Sequence, residues 1–193
     1  MLFHSFAFLA LFSITFVVYW SLTQHRLRML WLLGASFAFY GSWNPWLMFV
    51  VVFSAAFDFL IAQRIEASPS PKTRRLLLII SICVSLGILG FFKYTNFLLD
   101  SAVSTFNFFG FDYRHPAFRI VLPLGISFYT FETISYVMDV YRGRLRAERN
   151  FLDYALFIMF FPHLIAGPIV RPKHFLTQVP RVKRFDWSRL DLG

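Results

Sequence analysis

Three apolar runs, residues 3–22, 46–62 and 76–92, each approach the roughly 20 residues that a helix needs to cross a bilayer. Nothing else in the chain constrains its fold as strongly. The composition agrees: 58% of the 193 residues are hydrophobic, 27 of them Phe, and only 15% are charged, against roughly 25% in soluble domains. The chain therefore reads as an all-α polytopic membrane protein. The first run is not a secretory signal, because no basic region precedes it, no small-residue cleavage pattern follows it and further spans come after it.

The formal charge of +9 does not point to nucleic acid. Of the 19 lysines and arginines, 16 fall in four clusters: Arg26 and Arg28; Arg64, Lys72, Arg74 and Arg75; Arg142, Arg144, Arg146 and Arg149; and six from Arg171 to Arg189. Only Lys93, Arg114 and Arg119 lie elsewhere, in one intervening loop, and the turn at 41–44 has none. This alternation is the positive-inside pattern of a multi-pass protein whose amino terminus lies outside the membrane. The single domain, 1–193, is expected to have spans at 3–22, 29–40, 46–62, 76–92, 120–141 and 151–170. The loop 67–73 (ASPSPKT) is solvent-facing and cytoplasmic, and 94–109 is an interfacial helix separate from the fourth span. Cys83, the only cysteine, reads as a packing residue.

The last span needs a break. A simple crossing over 151–170 would place the six-charge tail outside, and Pro162, Gly167 and Pro168 interrupt helical hydrogen bonding. Non-helical backbone at membrane depth is tolerated only inside protein or beside a cavity. A re-entrant or broken element over 160–171, turning back toward the cytoplasm, is the expectation.

Polar residues inside apolar segments are the candidates for function, since a charge at the centre of a spanning helix costs roughly 2.5 to 3.5 kcal/mol on insertion scales. Gly125, Phe128, Glu132, Ser135, Asp139 and Arg142 follow a three-four spacing that puts them on one helix face, pointing at protein or water and not at lipid. Asp139 and Arg142 read as an anchoring ion pair. Glu132, deeper, is either a buried structural group or part of a substrate path. Asp58 reads as a helix-to-helix contact. His163 could act as a general base, but no carboxylate or histidine lies at a spacing that would orient it locally, so a structural role is the plainer reading. No metal-ligand spacing, P-loop, dinucleotide glycine motif or nucleophile elbow occurs.

The segments LPLGISFYTFETISYVMDVYRG (122–143) and FFPHLIAGPIVRP (160–172), with FFKYTNF (91–97) and YGSWNPWL (40–47), closely resemble the membrane-bound O-acyltransferases, in the branch of the alginate O-acetylation membrane protein. The resemblance covers essentially the whole chain. One departure is Glu132, where the family commonly has glutamine.

The resemblance implies the amino-terminal part of a ring of tilted helices around a funnel, in which an acyl group passes from a donor to a hydroxyl. It places the family's catalytic histidine in a helix after Gly193, so no catalytic residue is assigned here. The implied lining is Pro123, Gly125, Ser127, Tyr129, Asp139 and Arg142 from the first motif, and Pro162, His163, Gly167, Pro168 and Arg171 from the second. No bound cofactor is expected, and the donor would be acetyl-CoA or another acyl thioester; the basic cluster at 142–149 reads first as an orientation signal and second as an attractor for that anionic donor. Implied partners are membrane lipids, the carboxy-terminal remainder of the enzyme, a periplasmic acetyltransferase and an exported polysaccharide, in the bacterial inner membrane. The alternatives are D-alanyl transfer to teichoic acid, transport through a broken helix, and a non-catalytic scaffold.

Overall fold

The computed structural model describes residues 5–111, 119–163 and 170–179. The described residues form seven helices: α1 (Phe6–Ser21), α2 (His25–Gly41), α3 (Pro45–Ala67), α4 (Pro71–Phe108), α5 (Ile126–Tyr141), α6 (Phe151–Met159) and α7 (Pro172–Gln178). Local chemistry sets most of their ends. Ser5, Asn44, Ser70 and Asn150 cap the amino termini of α1, α3, α4 and α6 with their side chains, and Pro45 and Pro71 occupy first-turn positions where the missing N–H costs nothing. Helix α5 closes in a Schellman motif: Arg144 N–H bonds the Asp139 carbonyl at 2.9 Å, Gly143 N–H bonds that of Val140 at 3.0 Å, and Gly143 has φ 68°.

Helices α3, α4 and α5 pack against one another, and α6 fills the slot that α2, α3 and α5 leave. Tyr40, Ala55, Phe59, Tyr136, Tyr154 and Phe157 meet in the shared core. Every residue of α6 from Asp153 to Met159 is buried, which marks a helix enclosed on all sides. Helix α1 lies on α2, and α7 on α6 and α5.

Two helices, α3 and α4, are long and apolar enough to cross a membrane. Only 33% and 22% of their most apolar stretches are buried, whereas the core helix of a soluble protein would be enclosed. Large apolar side chains such as Trp46 (78% exposed) and Phe97 (65%) face outward. The chain is a helical membrane protein.

Three expectations need correction. Residues 94–108 are not a separate interfacial helix but continue α4, which at 38 residues runs about 57 Å. No Pro or Gly interrupts 91–109, and Thr95, Ser104 and Thr105 return their hydroxyls to carbonyls four residues earlier. Residues 120–125 are not helical: Asn96 grips the Ile120 backbone from both sides, at 2.7 and 3.0 Å, Tyr40 Oη donates to the Leu124 carbonyl at 2.9 Å, and Gly125 takes φ 70° as the α5 N-cap. Cys83 is exposed on α4 instead of packed inside.

Candidate functional site

Helix α5 and the turn after α6 hold most of the candidate residues. Helix α6 stops at Met159, and residues 161–163 form a turn. Phe161 N–H donates to Ser36 Oγ on α2 at 3.2 Å, and His163 N–H to the Phe160 carbonyl at 3.1 Å. The expected break thus begins at Phe160. Gly167 and Pro168 lie outside the described residues.

The turn carries His163 to α5. Its Nε2 stands 3.4 Å from Glu132 Oε1, with side-chain exposures of 9% and 1%. The contact is loose: neither oxygen of Glu132 nor Nε2 makes a well-aligned hydrogen bond. The rings of Phe160 and Phe175 flank the imidazole at centroid distances of 5.6 and 5.9 Å. Two phenol oxygens, of Tyr129 and Tyr154, are also enclosed without a partner. A carboxyl group does stand beside His163, from 31 positions away, where no local spacing could reveal it.

The polar face expected on α5 is present but is not the most buried one. Ile126, Tyr129, Thr130, Thr133, Tyr136, Val137 and Val140 pack inward, whereas on the expected face Phe128, Ser135 and Asp139 are half-buried, Arg142 is exposed and Glu132 alone is enclosed; Ser127, off that face, is half-buried too. Pro123 is buried beside Gly125 at the entry to α5, where both shape the backbone.

At the opposite end of α5, Asp139 and Arg142 do not form the expected ion pair. Instead, Ser135, Met138, Asp139, Arg142 and Arg144 join Arg171, the N-cap of α7, around a cavity of about 300 Å³. Here cationic side chains from both long motifs line a single space. Several contacts hold the loop that follows α5 and the end of the helix itself. Arg149 pairs with Glu66 at 2.6 Å, Gln63 Nε2 donates to the Glu148 carbonyl at 2.9 Å, and Arg74 donates to the Tyr141 carbonyl at 2.7 Å. Arg142 lies ten residues beyond Glu132, so about 15 Å separates the two groups along the helix.

Asp58 is the helix-to-helix contact expected of it: fully buried on α3, it accepts from Ser81 Oγ at 2.6 Å and Ser85 Oγ at 3.2 Å on α4. A second cavity, of about 370 Å³, lies between α1, α2, α6 and α7. Its walls are largely aromatic and include Pro162, with no carboxylate, imidazole or cation to do chemistry.

Comparison with known proteins decides the family. The chain is 43% identical over 180 residues to the probable alginate O-acetylase AlgI of Pseudomonas aeruginosa, covering 92% of this chain and 34% of that protein. This chain belongs to the AlgI-like branch of the membrane-bound O-acyltransferases. A peptidoglycan O-acetyltransferase of Helicobacter pylori is 36% identical, covering 77% of the chain, and a teichoic acid D-alanyltransferase of Bacillus subtilis is 34% identical over 63 residues. The chain spans about a third of the length of the AlgI relatives it matches. No family model and no solved structure matches it. Set against this family, the paired cavity residues Arg142 and Arg171 and the paired Glu132 and His163 each join the first motif to the second.

Proposed function

We propose that this chain forms part of an acyl-transfer funnel that moves an acetyl or other acyl group from a cytoplasmic thioester donor toward hydroxyls of an exported polysaccharide. The observation that carries the reading is the cavity where Arg142, Arg144 and Arg171 converge around Asp139. Three guanidiniums at one mouth suit the phosphates of acetyl-CoA, since planar bidentate donors match phosphate oxygens. The funnel would run from that mouth along α5 toward Glu132 and His163, lined also by Ser127, Tyr129 and Pro162.

The proposed topology puts the mouth at the cytoplasmic face of a bacterial inner membrane, the amino terminus outside and a re-entrant element at 160–171; the distribution of basic loops supports that reading. The base that deprotonates the acceptor hydroxyl is assigned to the family's histidine, outside these 193 residues. The carboxy-terminal remainder of the enzyme and a periplasmic acetyltransferase are the proposed protein partners.

Binding of acetyl-CoA to the protein in nanodiscs tests the reading. Arg142→Glu with Arg171→Glu should weaken binding by at least tenfold, and Arg146→Glu, outside the cavity lining, by less than threefold. Equal losses would remove the cavity as donor site. Binding of a carrier-protein thioester in place of acetyl-CoA would move the assignment to D-alanyl transfer.

A further inference from the structure

One side chain in the cavity at the end of α5 is unsuited to binding phosphate. Asp139 lines that cavity together with Ser135, Met138, Arg142, Arg144 and Arg171. Its main-chain carbonyl accepts the Arg144 and Leu145 N–H groups at 2.9 and 3.3 Å. Its carboxylate, among the described residues, forms no ion pair and receives no hydrogen bond. It also stands in the last turn of α5, where the helix dipole disfavours a negative charge. A carboxylate that neither caps a helix nor ties down a guanidinium does nothing for the fold at that position.

Chemistry limits what such a group can meet. An ionised carboxylate accepts hydrogen bonds and donates none, and a phosphate at neutral pH does the same. Asp139 therefore repels phosphate and binds only a donor. Its neighbours do the reverse, since guanidiniums donate and never accept. Three guanidiniums and one carboxylate leave two positive charges at the cavity, which match a phosphate monoester at about −1.5 to −2 at pH 7. Ser135, Asp139 and Arg142 follow one another at four and three positions on one helix face. That spacing puts successive Cβ atoms roughly 5 to 6 Å apart, so the donor that meets Asp139 and the phosphate that meets Arg142 belong to neighbouring atoms of one ligand.

We propose that the cavity reads a ribose carrying a 3′-phosphate: Arg142, Arg144 and Arg171 take the phosphate, and Asp139 accepts the O–H of the adjacent 2′-hydroxyl. This deepens the acyl-donor reading and rests on it. Acetyl-CoA carries that pair of groups on neighbouring ribose carbons, whereas the carbons next to those bearing its diphosphate carry no hydroxyl. A phosphopantetheine thioester on a carrier protein has neither the ribose nor the 3′-phosphate. The cavity thereby selects a nucleotide-bearing donor over a carrier-bound one, with Asp139 as a specificity-determining residue.

The test is equilibrium binding of adenosine 3′,5′-bisphosphate, its 2′-deoxy counterpart and adenosine 5′-phosphate to the protein in nanodiscs. The ribose bisphosphate should bind roughly tenfold or more tightly than either of the others, because hydrogen bonds to charged groups are among the stronger ones. Asp139→Ala should bind the two bisphosphates alike, and the deoxy compound no more weakly than the unsubstituted protein does, since a repelling charge has gone. Equal binding of the ribose and deoxyribose compounds by the unsubstituted protein would overturn the inference without recourse to any variant. So would a preference that survives in Asp139→Ala, the result expected of a charge that only repels. Acetyl-CoA held through Arg142 and Arg171 with no ribose preference would refute the role of Asp139 and leave the donor site standing. Failure of acetyl-CoA and of all three nucleotides to bind would refute the donor site and this inference together.

Discussion

Asp58→Ala should destabilise the protein by about 1.5 to 2 kcal/mol, taking about 1 to 1.5 for the short bond and about 0.6 for the long one, typical of polar contacts inside membranes. The two bonds run from Ser81 Oγ at 2.6 Å and Ser85 Oγ at 3.2 Å to a side chain with 0% exposure. The loss stays below the roughly 3 to 5 kcal/mol of a broken buried ion pair, because the released serines can turn to carbonyls four residues back. Ser36 and Ser54 already do so, at 2.8 and 2.9 Å. The assay is reversible unfolding in mixed micelles, followed by circular dichroism, with a thermodynamic cycle through Ser81→Ala. The triple variant Asp58→Ala, Ser81→Ala, Ser85→Ala should recover part of the loss, since it leaves no orphaned group. A change under about 0.5 kcal/mol for Asp58→Ala, or no coupling to Ser81, would refute the reasoning.

Asn96→Ala removes both bonds to the Ile120 backbone; it should cost about 1 to 2 kcal/mol and speed hydrogen exchange at the Ile120 amide. Gly125→Ala forces a side chain into φ 70° and should lower stability by about 1 to 2 kcal/mol in the same unfolding assay. Arg149→Ala should change it by about 0.5 kcal/mol or less, because Arg149 is 69% exposed despite its 2.6 Å pair with Glu66.

What the sequence made legible follows from what is local. Apolar runs and basic clusters identify a helical membrane chain, Asn44-Pro45 and Ser70-Pro71 mark helix starts, and Pro162 announces a break that the structure begins at Phe160. Asp58 could be read as a contact between helices because a carboxylate in an apolar run needs a partner, yet only packing names Ser81 and Ser85. The continuation of α4 past Lys93 was hidden because its Thr, Asn and Asp suggest that the span ends there and an interfacial helix follows, whereas Thr95 and Asn96 spend their polar groups on carbonyls or on Ile120. The site was half visible. Glu132, His163, Arg142 and Arg171 could each be singled out, but the pairing of Glu132 with His163 and the shared cavity of Arg142 and Arg171 are contacts across 31 and 29 positions. Ser36, which supports the turn, gave no signal, and Tyr40, which supports the entry to α5, was visible only as part of the YGSWNPWL segment.

The enclosed nine-residue α6 carries a consequence for biogenesis. At about 14 Å it is too short to cross a bilayer alone, and most of its surroundings are supplied by α2, α3 and α5, made earlier in the chain, with α7 packing on it afterwards. The slot must exist before its occupant arrives. Insertion of this segment is therefore a templated step, and a defect in the early helices would strand a late one.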